Sequence, residues 1–126
     1  MTRDDFDTLF RAFNRHDIDD VMSYFHDDVI FETVSGDNAH GTRIEGKAAV
    51  RAQFEATWGT MPDVQWRNES YFLFTPERIV SECTFIATNP DGTRQHADSV
   101  DLFTLKDGKI ASKRAFRKNR PALKAA

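Results

Sequence analysis

The chain has little that would tie it to an oxidising compartment, a membrane or a nucleic acid. Its single cysteine, Cys83, has no partner for an internal disulfide, which is typical of a reducing compartment. No charged-then-apolar signal segment follows Met1, and no apolar run is long enough to cross a bilayer. A formal net charge of −3 disfavours nucleic acids and anionic membrane surfaces as partners. We therefore expect a cytoplasmic protein that binds neither nucleic acid nor membrane.

The sequence also lacks the motifs of metal, cofactor and nucleophile chemistry. It has no glycine-rich phosphate loop, no nucleophile elbow and no cysteine–histidine signature. The four histidines are scattered, and no two of them fall at a metal-ligand spacing with a carboxylate in register. We therefore expect neither a metal nor a cofactor.

Aromatic residues, by contrast, are abundant. Eleven of the 126 residues are phenylalanine, and the hydrophobic fraction is 40%. This composition excludes a disordered chain and suits one domain of ordinary size. It predicts a core or a pocket that is walled by aromatic rings.

The amino-terminal half is predicted to contain three helices. The first begins at a capping box of Thr2 and Asp5, and its apolar face carries Phe6, Leu9, Phe10 and Phe13. Asp17 caps the second, whose apolar face carries Ile18, Val21, Met22 and Phe25. The third begins at Gly46 and carries Val50, Phe54 and Trp58. Residues 29–34 form a short strand between the second and third helices, and a loop over 33–43 follows it.

The remainder is predicted to be sheet. Four long strand candidates are separated by turn sequences, and they span 64–75, 79–88, 96–105 and 110–118. Consecutive strands that are joined by tight turns form an antiparallel meander. Helices followed by strands indicate an α+β fold with the helices on one sheet face. The segment 119–126 is expected to be a loose tail.

The most informative residue is Asp101, a carboxylate within the apolar run from Val100 to Leu105. Burial of an unpartnered carboxylate costs several kcal/mol, so such a residue either faces solvent or has a function. Side chains alternate along a strand, so Ser99, Asp101 and Phe103 share one face. The opposite face carries Val100 and Leu102.

Three motifs occur in a fixed order along the chain: Phe25–Glu32 (FHDDVIFE), Gly46–Arg51 (GKAAVR) and Val100–Ile110 (VDLFTLKDGKI), the last followed by Arg114–Phe116. In this order and spacing they resemble the SnoaL-like and ketosteroid-isomerase-like proteins of the nuclear transport factor 2-like superfamily. The resemblance implies one SnoaL-like domain over 1–126, with its core at about 6–118. It also implies a cystatin-like fold, in which three amino-terminal helices wrap a curved antiparallel sheet into a cone with an apolar pocket at its open end.

The resemblance constrains the chemistry less than the shape, because the fold hosts isomerases, polyketide cyclases, dehydratases, epoxide hydrolases and silent binding modules. Asp101 falls where ketosteroid isomerases keep a protonated Asp in the oxyanion hole. Their general base corresponds to Thr33, whose hydroxyl cannot act as a base at neutral pH without activation. Their tyrosine corresponds to about Leu9, which has no proton to give. The His–Asp dyad of the dehydratases has no match, since Asn14 and Asn68 lie near those positions. Steroid isomerisation is therefore disfavoured.

The predicted function is binding of a small apolar carbonyl compound in the cone, with cofactor-independent isomerase, cyclase, dehydratase or hydrolase-like lyase chemistry. Asp101 would act as general acid–base or would donate a hydrogen bond to an enol, in the neutral form that burial favours. Arg117 or Glu32 would assist, and His40 would reach the ligand from the loop over 33–43. Ligand contacts are predicted for Thr33, Phe54, Trp58, Phe85, Phe103 and Phe116.

The alternative is a non-catalytic module for ligand binding or dimerisation. Asp101 would then be the buried, ionised partner of Arg114 or Arg117. Glu32 would be a structural carboxylate that binds Arg43, Arg51 or a backbone amide.

A homodimer is expected in either case. Val100, Leu102 and Thr104, with neighbours such as Thr84 and Ile86, form an apolar patch on the face opposite Asp101. Exposed patches of this kind usually mark an interface. A two-fold dimer through the sheet should bury about 1,200 Å² or more in total.

Overall fold

The computed structural model describes residues 1–124, and within this range three helices pack on one sheet of six strands. The helices are α1 (Arg3–Asn14), α2 (Ile18–Met22) and α3 (Lys47–Thr60). The strands are β1 (Phe25–Glu32), β2 (Arg43–Glu45), β3 (Gln65–Thr75), β4 (Arg78–Thr88), β5 (Arg94–Lys106) and β6 (Lys109–Arg117). Their order across the sheet is β2-β1-β6-β5-β4-β3. The predicted α+β class is confirmed.

All neighbouring strands are antiparallel except β1 and β6, which are parallel. The four long strands form the predicted meander, and their ends lie within two residues of the predicted ends. Sequence analysis missed β2, because its three residues are too few to show a periodic pattern. This short strand extends the sheet beyond β1.

Local capping explains where the first two helices begin, and strand pairing explains why the second is short. In α1 the Thr2 side chain accepts a hydrogen bond from the Asp5 amide, while the Asp5 carboxylate accepts one from the Thr2 amide at 2.7 Å. The predicted capping box is therefore confirmed, and Asp17 caps α2 as predicted. Phe25, however, was wrongly assigned to the second helix. That helix ends at Met22, and Phe25 opens β1 because its backbone pairs with Ile110 of β6.

The helices cover one face of the sheet with aromatic side chains. The predicted apolar face of α1 is buried throughout, at Phe6, Leu9, Phe10 and Phe13. Phe103 of β5 reaches this layer, with its ring centroid 5.2 Å from that of Phe6 and 6.5 Å from that of Phe10. Rings therefore fill the end of the molecule that lies under α1.

Irregular pairing bends the sheet around the helices. The register shifts within β1–β6, at two points in β3–β4 and near Thr104 in β5–β6. Such bulges increase twist and curve a sheet. The curvature leaves a cavity between α3 and the inner face of β5 and β6.

The expected loose tail is partly anchored where the structure describes it. Leu123 exchanges two backbone hydrogen bonds of 2.8 Å with Arg94. The guanidinium of Arg120 donates to the carbonyl of His96. The last two residues of the predicted tail, 125 and 126, lie outside the described residues. In residues 1–124 no helix combines the length and the apolarity that a membrane crossing requires.

Candidate functional site

A cavity of about 370 Å³ opens beside α3 and the segment from Thr33 to Ile44. This volume lies within the range that is typical of small-molecule sites. Its wall is largely aromatic and includes Phe13, Phe31, Phe54, Trp58, Trp66 and Phe85. Three charged side chains also line it, namely Asp101, Lys113 and Arg117. The cavity thus combines apolar walls with a few converging charged groups.

Asp101 forms a buried ion pair with Lys113. The two side chains lie on the neighbouring strands β5 and β6, where Asp101 pairs in register with Ala115 and Lys113 with Phe103. Both side chains point inward and line the cavity. Lys113 Nζ donates to Asp101 Oδ1 at 3.4 Å, and the two side chains are only 6% and 2% exposed, respectively. An adjacent cation favours the ionised carboxylate. The cation is Lys113, and not Arg114 or Arg117 as the sequence suggested.

The second oxygen of the Asp101 carboxylate remains available. Within residues 1–124, the bond from Lys113 is the one hydrogen bond that the Asp101 side chain makes. A carboxylate has about four acceptor positions. Asp101 can therefore accept a further proton or hydrogen bond from a molecule in the cavity.

Aromatic rings surround the ammonium group of Lys113. Its Nζ lies 4.7 Å from the ring centroid of Phe31 and 5.8 Å from that of Phe54. The ring of Phe13 is 5.9 Å away. Cation–π attraction within about 6 Å offsets part of the cost of burying this charge. The rings and Asp101 together fix the position of the ammonium group.

Arg117 lies at the cavity wall without an anionic partner. Its guanidinium carbon is 3.4 Å from the ring centroid of Phe85, and Nε is buried without a hydrogen-bond partner among the described residues. Burial lowers the pKa of Arg117, and the nearby charge of Asp101 partly opposes this shift. An arginine remains charged at neutral pH even so. Arg117 therefore brings a positive charge that protein groups leave largely uncompensated.

Cys83 and Ser81 lie on β4, on the inner face beside Asp101. Ser81 pairs in register with Asp101, and its buried Oγ makes no hydrogen bond to the described residues. Burial, reinforced by the charge of Asp101, raises the pKa of the Cys83 thiol to about 12. A thiol in this state is a poor nucleophile, because reactivity requires the thiolate. Cys83 is therefore not a candidate nucleophile in this cavity.

Glu32 lies on the other side of β1 and does not line the cavity. Its carboxylate accepts two hydrogen bonds from Arg43, at 3.0 and 2.8 Å, and one from Arg114 at 2.9 Å. The hydrogen bonds from Arg43 and then from Arg114 hold the pKa of Glu32 below its usual range, against the effect of burial. The geometry matches the structural carboxylate that was one of the two interpretations of Glu32.

The remaining predicted site residues divide into two groups. Thr33, Phe54, Trp58 and Phe85 line the cavity together with Asp101 and Arg117. His40, Phe103 and Phe116 do not. His40 is half-buried in the loop, and Phe103 belongs to the core under α1. Phe116 is 48% exposed on the outer face, because it alternates with the inward-pointing Ala115 and Arg117.

Sequence analysis missed Lys113. Strand alternation places Lys113 in phase with Ala115 and Arg117, so alternation along this strand was sufficient to find it. In the part of the chain that the structure describes, no cluster of three or more His, Cys, Asp or Glu side chains is suited to a metal ion.

Comparisons with solved structures place the fold among cystatin-like proteins. A protein of unknown function with a cystatin-like fold from Xanthomonas campestris superposes with a TM-score of 0.79 at 19% identity, covering 92% of this chain and 89% of that one. RV0760c from Mycobacterium tuberculosis, in complex with estradiol-17beta-hemisuccinate, gives 0.75 at 21% identity, covering 89% of each chain. A protein with a ketosteroid-isomerase-like fold from Catenulispora acidiphila, in complex with trimethylamine, gives 0.76 at 13% identity and covers 92% and 86%.

At these identities the structural likeness shows the fold alone. Comparison with curated protein sequences finds no match. The family model of the SnoaL-like domain matches residues 6–113, which is most of the chain and includes both Asp101 and Lys113. The chain belongs to the SnoaL-like family.

Proposed function

We propose that this protein binds a small, flat, apolar carbonyl compound in the cone and moves a proton on it without a cofactor. The observation that carries the proposal is the buried Asp101–Lys113 pair at the wall of an aromatic cavity. Relatives in this fold offer a parallel, since the structure of RV0760c holds a steroid ester in complex. The family includes cyclase-type and isomerase-type proteins, which supports chemistry of this kind.

In the proposed reaction Asp101 is the general base. Its carboxylate removes a proton from the carbon next to the carbonyl group. The electron pair of that C–H bond forms a C=C bond, and the pi electron pair of the carbonyl group moves onto its oxygen. Lys113 and Arg117 face the resulting enolate charge and stabilise it. Where the enolate is conjugated with a C=C bond, return of the proton from Asp101 to the far carbon of that conjugated system shifts the double bond and completes an isomerisation. Alternatively, attack of the enolate carbon on a second carbonyl group forms a C–C bond, and the proton held by Asp101 passes to the resulting alkoxide oxygen, which completes a cyclisation.

The ion pair changes the role that the sequence suggested for Asp101. A neutral Asp donates a hydrogen bond to an enol, but an ionised Asp accepts a proton. Lys113 stabilises the ionised form, so the base is the better assignment. The proposed site contains Asp101, Lys113 and Arg117, and the rings of Phe54, Trp58 and Phe85 hold the apolar body. It leaves out Glu32, His40, Phe103 and Phe116.

Deuterium exchange tests this function. The probe is 2-tetralone, a flat ketone with activated hydrogens next to its carbonyl group, incubated with the protein in D₂O and followed by proton NMR. We expect the wild type to accelerate exchange and Asp101→Asn to reduce the enzymatic rate by about 100-fold or more. Circular dichroism verifies that the variant is folded. Both tryptophans of the chain, Trp58 and Trp66, line the cavity, so their fluorescence reports binding independently of turnover.

The second candidate function is a silent binding module. The observation that favours it is again the ion pair, since a buried carboxylate that is paired with Lys113 can serve as a structural element of the core. In this case 2-tetralone quenches tryptophan fluorescence, but the wild type and Asp101→Asn exchange deuterium at the same uncatalysed rate. The two functions are thereby separated in one sample.

We also propose that two chains form a homodimer through the outer face of the sheet. Val100 and Leu102 are half-buried there, and Phe116 of the neighbouring strand is 48% exposed. Light scattering at micromolar concentration should give twice the mass of one chain. Leu102→Glu should shift the mass to that of a monomer, whereas a wild-type monomer would contradict the proposal.

A further inference from the structure

The cavity wall carries two positively charged side chains and one negatively charged side chain. Asp101 and Lys113 compensate each other through their contact. Arg117, the third charged residue of the wall, forms no ion pair and no side-chain hydrogen bond within residues 1–124. The described part of the cavity therefore carries one excess positive charge, located at Arg117.

Arg117 also lies where the cavity meets a second opening. A groove of about 590 Å³ shares Val34, Ser35 and Arg117 with the cavity. The groove is lined by Lys118, Arg120 and His96 as well, and none of its described lining residues is an Asp or a Glu. We call it the basic groove. Arg117 is the charged side chain that lines both the apolar cavity and this groove.

A guanidinium in such a position is suited to one kind of ligand group. One face of Arg117 rests on the ring of Phe85, which fixes the plane of the guanidinium. Its N–H donors make no bonds to the described residues, and a planar fork of donors matches a carboxylate in a bidentate manner. A carboxylate bound there would also relieve the cost of keeping the Arg117 charge buried.

We propose that the ligand of the cone carries a carboxylate, which Arg117 binds at the junction of the cavity and the basic groove. The ligand class is thus an aromatic or polycyclic acid, with its apolar body among the rings and its acid group toward the groove. The inference rests on the proposed function in one respect, namely that the cone is the binding site. It adds that Arg117 makes the site prefer a ligand with a negative charge.

A matched pair of probes tests the inference. Sodium 2-naphthoate and methyl 2-naphthoate share their apolar body and differ in the negative charge. Quenching of Trp58 and Trp66 measures both affinities. We expect 2-naphthoate to bind the wild type about tenfold more tightly or better, as a charge-assisted bond to a poorly solvated partner warrants. The preference should weaken as salt is added.

Variants assign the preference to Arg117. Arg117→Gln should abolish the preference, so that the acid and the methyl ester bind with equal affinity. Arg117→Lys, which keeps the charge but loses the planar fork, should retain part of it and guards against a folding defect in the first variant. The control is Arg114→Gln, on the same strand but bound to Glu32 on the other face, which should leave both affinities unchanged.

The outcomes are distinguishable from failure of the proposed function. Equal binding of acid and ester by the wild type overturns the inference and leaves the cone as a binding site. A preference that survives in Arg117→Gln overturns the assignment to Arg117. If neither probe quenches the tryptophans, the inference fails together with the cone as a site for aromatic ligands. Deuterium exchange on 2-tetralone, a neutral ketone, is independent of the carboxylate and reports on the proposed function separately.

Discussion

Two carboxylates are buried on nearby strands of the same sheet, and their surroundings differ. Glu32 points to the outer side of β1, where two arginines give it three hydrogen bonds between 2.8 and 3.0 Å. Asp101 points into the cone, where one lysine gives it a single bond of 3.4 Å. Glu32 has used both of its oxygens on the protein, whereas Asp101 has one oxygen to offer to another molecule.

Burial and charge alone therefore do not identify a functional carboxylate. Glu32 is the better-bonded group, as expected of a residue that holds β1, β2 and β6 together. Asp101 is held in place by a cation but is not saturated, and it faces a cavity. A base needs both properties, because it must be positioned and must still have a free lone pair.

Loss of the Lys113 charge should have the largest effect. Lys113→Met keeps most of the side-chain volume but leaves Asp101 buried without its cation. We expect the free energy of unfolding to fall by about 3–5 kcal/mol, measured by urea denaturation. The double variant Asp101→Asn/Lys113→Met should be more stable than Lys113→Met, since it has no unpaired carboxylate. A double variant that is no more stable would show that the ion pair does not control the stability of this region.

The cluster of Glu32, Arg43 and Arg114 should contribute less to stability, and its contribution should depend on pH. Glu32→Gln removes a charge whose arginine partners are about half exposed, so we expect a loss of about 1 kcal/mol at neutral pH. The arginines lower the pKa of Glu32 in the folded state below its ordinary value of 4.5. The unfolded chain therefore binds the proton more tightly, and the contribution of Glu32 is complete above about pH 4.5.

As the pH falls below that value, the folded wild type loses this contribution. The difference in unfolding free energy between the wild type and Glu32→Gln should therefore shrink as the pH is lowered through the folded pKa. Urea denaturation at several pH values measures this difference. A difference that stays constant or grows toward low pH would contradict the assignment of the Glu32–Arg43–Arg114 cluster.

A substitution in the loop over 33–43 should have the smallest effect. His40 does not line the cavity, so His40→Ala should change the free energy of unfolding by less than about 0.5 kcal/mol. Binding of 2-tetralone and its deuterium exchange should be unchanged. A drop in the exchange rate would return His40 to the site and would indicate that the loop closes over the ligand.

Much of the fold follows from local patterns in the sequence. The spacing of Phe6, Leu9, Phe10 and Phe13 specified α1, and the turn sequences specified the strand meander. The end of α2 at Met22 did not follow, because Phe25 is paired with Ile110, a partner that is distant in sequence. The short strand β2 did not follow either, because its three residues are too few to show a periodic pattern.

The site could be predicted only in part. Alternation along β5 placed Asp101 on the inner face, but it does not tell which cation on β6 lies within reach. That depends on register, and the register of β5 and β6 brings Lys113 to Asp101 and turns Arg114 toward Glu32. The aromatic residues were divided between core and cavity by the curvature of the sheet, which a single strand pattern does not encode.

We propose that Asp101 performs the chemistry and that Glu32 holds the sheet together. The rate of deuterium exchange on 2-tetralone separates these two roles when it is measured for two matched amide variants, Asp101→Asn and Glu32→Gln. We expect Glu32→Gln to keep the wild-type rate at a temperature where it is folded, and Asp101→Asn to lose about 100-fold or more. Equal rates in the two folded variants would contradict the claim.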